Sequence, residues 1–211
     1  MQAVVAPAFL FRRASPRPSK LPAECPARGF EDESSMATPD FQRKPHRLPR
    51  QEYCGERWYF VTMCSERRAP IFADPAVAKW LIEALRKESE LHSFLIDAYC
   101  LMPDHLHFLA VGITPSSNFL RFVKSFKQKT AYLYVQKTHL RLWQRNYYDH
   151  ILRSNEEPRS VAAYIWLNPV RRGICKDFEQ HPYSGSFSRP ARTTPTEPSW
   201  TPPWKHARMP A

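Results

Sequence analysis

The chain has no Cys-x-x-Cys pair, and its five cysteines (Cys25, Cys54, Cys64, Cys100 and Cys175) are scattered and odd in number. That spacing excludes a zinc ribbon and a closed disulfide framework, and it fits the reducing cytoplasm. No apolar run is long enough to cross a bilayer, so no membrane role is expected. Met1 to Leu10 is mildly apolar but lacks a basic segment ahead of a sustained apolar core, which argues against a secretory signal. There is no internal repeat. The most telling absence is of negative charge: between Asp104 and Asp149 there is not one acidic residue.

What fills that interval is positive and aromatic. Arg121, Lys124, Lys127, Lys129, Lys137, Arg141 and Arg145 lie in it, interleaved with Phe119, Phe122, Phe126, Tyr132, Tyr134, Trp143, Tyr147 and Tyr148. The 211 residues carry a formal net charge of +11, which points to a polyanionic partner. Basic groups attract phosphates, and exposed aromatic faces stack unpaired bases. Arg121, Lys124, Lys127 and Arg145 are therefore candidate nucleic-acid contacts. The plainer alternative is a solvated helix face with its aromatics in the core.

The length suits one domain with tails. Residues 1–44 are rich in Pro, Arg, Ser and Ala without a sustained period and read as a disordered basic extension. Residues 186–211 are again Pro-rich, with Trp200 and Trp204, and read as a flexible tail. Between them, 45–185 has the pattern of a folded domain. Trp58 to Cys64 is a β-rich run. Asp74-Pro75 is an N-cap followed by proline at the first helical position, and Val77, Trp80, Leu81, Ala84, Leu85 and Leu91 recur at helical spacing to about His92. Ser93 to Leu101 reads as a strand, Pro103-Asp104 as a tight turn, and Leu106 to Val111 as the returning strand. A helix follows over about Ser117 to Gln136, with Phe119, Phe122, Val123, Phe126 and Leu133 facing the sheet. A short strand is expected over Tyr148 to Leu152, then a last helix from Asn155 or Glu157 to about Asn168. This order predicts an α+β, ferredoxin-like antiparallel sheet with packed helices.

Two histidines stand out in Met102-Pro103-Asp104-His105-Leu106-His107-Phe108. On a strand His105 and His107 project to one face, and two imidazoles there make half of a metal site if other residues complete it. Asp104 reads as a turn residue. On the last helix Tyr164 and Asn168 are i and i+4 and share a face. Pro169 cannot continue the ladder, so Asn168 is expected in the final turn. A tyrosine beside a carboxamide, set against two histidines, combines a nucleophile with a third metal ligand. Asn168 could instead cap the helix, His150 could serve as a ligand, and Tyr147 and Tyr148 are rival nucleophiles. Arg171 and Arg172 suit phosphate contact or the negative end of the helix dipole.

These segments resemble the HUH single-tyrosine transposases, in particular the REP-associated tyrosine transposase branch. The matching elements are Met102-Pro103-Asp104-His105-Leu106-His107, Tyr164-Ile165 with Asn168-Pro169-Val170, and Trp143-Gln144 ahead of Tyr148-Asp149-His150. Pro45-His46-Arg47-Leu48, Tyr59-Phe60-Val61-Thr62 and Arg67-Arg68 precede them, so the resemblance runs from Pro45 to Cys175. It implies the HUH endonuclease fold and cleavage and rejoining of single-stranded DNA that carries a hairpin or palindromic repeat. It also implies Tyr164 as the nucleophile forming a 5′-phosphotyrosine, with Mg²⁺ or Mn²⁺ on His105, His107 and Asn168. No small-molecule cofactor is expected, and a monomer or homodimer is compatible. The competing classes are a non-catalytic, domesticated nucleic-acid binder and a metal-dependent hydrolase that activates water.

Overall fold

A computed structural model describes residues 49–188 and 199–203. The extension over 1–44, the Pro45-His46-Arg47-Leu48 match and Trp204 lie outside the described residues. In chain order the elements are β1 (Trp58–Cys64), α1 (Pro75–Leu91), β2 (Phe94–Met102), β3 (His105–Gly112) and α2 (Phe119–Thr138). There follow β4 (Tyr148–Ile151), α3 (Pro158–Trp166), α4 (Asn168–Arg171) and β5 (Ser184–Gly185). The strands form one antiparallel sheet in the order β4-β1-β3-β2-β5, with helices packed on it, which is the expected α+β architecture.

Local chemistry accounts for the elements that hold the sheet. Asp74 caps α1 by accepting hydrogen bonds from the Ala76 and Val77 amides at 2.7 and 3.4 Å, and Pro75 occupies a position that needs no donor. Asn118 does the same for α2 through the Arg121 amide at 2.9 Å. Pro103-Asp104 closes a two-residue hairpin that pairs Met102 with His105. Because cross-strand partners share a face, this register sets Thr62, His107 and Cys100 in one row and Cys64, His105 and Met102 in the next.

β2 departs from a plain strand. Its register runs from Ile96 opposite Ala110 directly to Ala98 opposite Leu109, so Asp97 is an extra, bulged residue. A bulge reverses which face the following side chains take. Phe94 and Ile96 therefore lie on one face, and Ala98, Cys100 and Met102 on the other. Without it, all five would project the same way. Asp97 is buried, and the Ser188 hydroxyl donates to it at 3.0 Å.

The sheet is covered on both sides. On one side α2 buries Phe119, Phe122 and Phe126, and the ring of Phe119 stacks on Tyr59 at 4.2 Å while Phe122 stacks on Phe94 at 5.1 Å. The other side packs Phe60, Ala98, Cys100, Met102 and Leu109 against Val161, Ala162, Tyr164, Ile165 and Trp166 of α3. Three expectations change. Leu91 and Leu133 are exposed at 66% and 45%, and Thr130 and Tyr134 take the inward positions of α2 because the helical period carries 122 and 126 on to 130 and 134. Of the C-terminal segment, the described Phe187 packs on Tyr99 at 4.8 Å and Trp200 is buried among the α3 face residues.

Candidate active site

The two histidines sit side by side on β3, ring centroids 4.6 Å apart, and both are buried. Each is held through Nδ1. His105 Nδ1–H donates to Asp104 Oδ1, whose other oxygen lies 3.2 Å from Arg68 Nη1. His107 Nδ1 lies 2.8 Å from Thr62 Oγ1, its row neighbour on β1. Partnered in this way, each ring has Nε2 left for ligation. Burial foremost pushes His107 well below the usual imidazole value, and burial likewise lowers His105 despite the opposing Asp104 carboxylate. Both rings are thus neutral near pH 7, the form that binds metal.

Arg67 and Arg68 adopt left-handed backbone, φ 54° and 55°, which is unfavourable for side chains of this kind. The turn brings Arg68 to Asp104; burial raises the Asp104 carboxyl, but the His105 hydrogen bond, aided by Arg68, holds it below its usual range. Asp104 is therefore more than a turn residue. Its position directly before His105 was the available signal. Thr62 could have been found only by pairing β1 with β3.

Tyr164 projects from α3 toward this pair. Its ring is 6.4 Å from His107 and 6.1 Å from Phe60, and it is 6% exposed. Burial raises its phenol, while the Arg171 and Arg172 guanidiniums oppose that rise. The rival Tyr148 has the reverse surroundings. Burial pushes it up to about 12, and Asp149 and Glu156 push in the same direction. Of the two phenols, Tyr164 has the charged surroundings that favour the phenolate.

Asn168 requires a correction. It is not in the last turn of the helix that carries Tyr164. α3 ends at Trp166, Leu167 breaks the run, and Asn168 opens α4 with Pro169 behind it. Continuing one helix through Pro169 would press its ring on the Ile165 carbonyl, whereas a new helix accepts proline in its first turn. Asn168 is nonetheless buried. Among the described residues no third His, Cys, Asp or Glu joins the histidine pair as a metal cluster. The neutral imidazoles fit a divalent ion, and a complete shell needs an oxygen donor such as the Asn168 amide.

The family model for IS200-like transposases matches residues 56–167, which contain both histidines and Tyr164. The chain belongs to the IS200-like transposase family. It is 24% identical over 130 residues to the REP-associated tyrosine transposase of Escherichia coli K12, covering 62% of this chain and 76% of that protein. The fold is similar to the solved structure of a REP-associated tyrosine transposase bound to a REP hairpin. That similarity has a TM-score of 0.52 and 23% identity, over 62% of this chain and 76% of the other.

The remaining candidates fall into separate places. Arg121 and Lys124 are exposed on α2, the layer across the sheet from Tyr164. Lys127 is engaged inside the fold: Nζ donates to the Gln144 and Arg145 carbonyls at 2.8 and 3.1 Å and lies over the Tyr147 ring. Arg145 is exposed on an arm whose Gln144 amide donates to the Cys64 carbonyl, and Cys64 is the partner of His105. That arm passes the histidine end of the sheet. Arg171 and Arg172 adjoin Tyr164. His150 is no spare ligand, because its Nε2 lies 2.7 and 2.9 Å from the two Glu156 carboxylate oxygens. Trp200 was missed as a site neighbour. Its ring meets Tyr164 edge-on at 5.2 Å and its Nε1–H donates to Glu156 at 2.7 Å. Thirty-six residues and a proline-rich stretch separate it from Tyr164 in sequence, so no local pattern announced the contact.

Proposed function

We propose that this transposase-family protein cleaves and rejoins hairpin-containing single-stranded DNA through a covalent bond between Tyr164 and a 5′-phosphate. The supporting observation is the company of Tyr164: a phenol set beside two buried, neutral histidines, with arginines rather than carboxylates as its charged neighbours. Tyr164 Oη attacks phosphorus, the bond from phosphorus to the 3′-oxygen breaks, and the phenolic proton ends on that leaving oxygen. The products are a 5′-phosphotyrosine and a free 3′-hydroxyl. One phosphodiester is exchanged for another, so a second 3′-hydroxyl can reverse the step without a nucleotide cofactor. Mg²⁺ or Mn²⁺ held by His105, His107 and the Asn168 amide would polarise the scissile phosphate and offset its developing charge. Asp104 and Thr62 keep the two imidazoles oriented for that role. Arg145 and Arg172 are exposed cations near the site and supply phosphate contacts there.

The test uses the protein with hairpin oligonucleotides bearing flanking single strands, in Mn²⁺. A denaturant-resistant protein–DNA adduct is expected, lost in Tyr164→Phe and with chelator. Tight oligonucleotide binding without any adduct would identify a non-catalytic binder. Cleavage that survives Tyr164→Phe would identify a hydrolase that uses water.

A further inference from the structure

The break between α3 and α4 has a consequence for the nucleophile. In a continuous helix the Tyr164 carbonyl would accept from the amide of residue 168. Here it accepts from Arg171 Nη2, at 2.6 Å and seven residues away. The same guanidinium lies over the Tyr164 ring, its Cζ 4.0 Å from the centroid. One side chain thus ties down both the backbone and the ring of a single residue. A planar cation suits both tasks, because it donates in its plane and stacks through its face. The Trp200 and Phe60 rings also meet the phenol, in T-shaped contacts at 5.2 and 6.1 Å. Of these three contacts, the one from Arg171 brings charge.

We infer that Arg171 is a positioning residue for Tyr164, holding the phenol in place for attack, rather than one of several interchangeable DNA contacts. This rests on the phosphotyrosine chemistry proposed above for Tyr164. Arg172, next in sequence, bears on the phenol through its charge, whereas the Arg171 guanidinium stacks on the ring. An in-line attack on phosphorus depends steeply on the placement of Oη, so loosening the ring should slow the chemical step more than it weakens binding.

The experiment compares wild type with Arg171→Gln and Arg171→Lys. In Arg171→Gln, the rate of adduct formation at saturating oligonucleotide is expected to fall about tenfold or more. The oligonucleotide dissociation constant should stay within about threefold. Arg171→Lys should recover part of the rate, since it keeps the charge without the planar stack. Protein labelled with 3-fluorotyrosine supplies a readout independent of activity: the Tyr164 ¹⁹F resonance, identified by its loss in Tyr164→Phe, should shift in both Arg171 variants. Weaker binding with an unchanged saturating rate would return Arg171 to the DNA contacts. An unmoved Tyr164 resonance would also overturn the inference. If wild type forms no adduct, the phosphotyrosine reading fails, while the ¹⁹F comparison still decides whether Arg171 places the ring.

Discussion

Along β3, Leu106, Phe108 and Ala110 face α1 and α2, whereas His105, His107 and Leu109 face α3. The first set meets a layer of aromatic rings from Phe94, Phe119 and Phe122. The second meets Thr62, Cys100, Tyr164 and Trp200, with Asp104 and Glu156 close behind. Both faces are buried, so burial alone does not separate stability from chemistry. The difference lies in what accompanies it. On the aromatic face the apolar area removed from water does the stabilising. On the other face, polar groups are excluded from water and oriented by partners, which costs stability and leaves reactive atoms available.

The largest effect should come from the aromatic face. Phe122→Ala removes a fully buried ring and should destabilise the protein by about 4 kcal/mol in denaturant unfolding. A loss under about 1 kcal/mol would mean that the two faces do not divide the work in this way.

The histidine face should show itself in pH. Folded His105 and His107 have lowered proton affinities, so between their folded values and the unfolded value near 6.5 the unfolded chain binds more protons. Their contribution is whole above about 6.5 and is lost as pH falls below it, with a slope of at most about 1.4 kcal/mol per pH unit for each ring. A His105→Gln/His107→Gln double variant should lose that part of the stability–pH profile. If its profile overlays that of wild type, the rings are not buried as neutral groups.

Smaller effects refine the contrast. Thr62→Val removes the hydroxyl at His107 Nδ1 and should weaken Mn²⁺ binding, followed by calorimetry, about tenfold. On the opposite face the Tyr59 hydroxyl is buried without a partner among the described residues, and burial pushes its pKa up to about 12. Tyr59→Phe should therefore raise stability, by about 1 kcal/mol. The smallest effect belongs to Arg121→Ala/Lys124→Ala. Both cations are exposed on the layer away from Tyr164, and their loss should alter the saturating cleavage rate less than twofold or so. A large decrease would carry the DNA path around to α2.

The elements whose signals are local were legible in the chain. The Asp74 cap with Pro75, the β-rich run from Trp58 and the Pro103-Asp104 hairpin follow from propensity, capping and turn chemistry. The hairpin also placed His105 and His107 on one face. The bulge at Asp97 was not legible, because an extra residue in a strand leaves alternation looking regular until its partner is known. Nor was the placement of Asn168. Pro169 announced a break, and the structure puts that break at Leu167, two residues before the proline, and starts a new helix at Asn168. The Lys127 contacts likewise needed the position of the Gln144 arm, which sequence spacing does not convey.

By itself, the sequence determined that two imidazoles share a strand face, that a tyrosine lies on a later helix, and that the intervening stretch is free of acid. Periodicity and composition act over a few residues, and these features need nothing longer. Tertiary structure alone decided that Thr62 and Asp104 hold the imidazoles, that Arg171 lies over Tyr164, and that Trp200 closes on its edge. Those contacts join segments by packing and hydrogen bonding across the fold, where distance along the chain carries no information about distance in space.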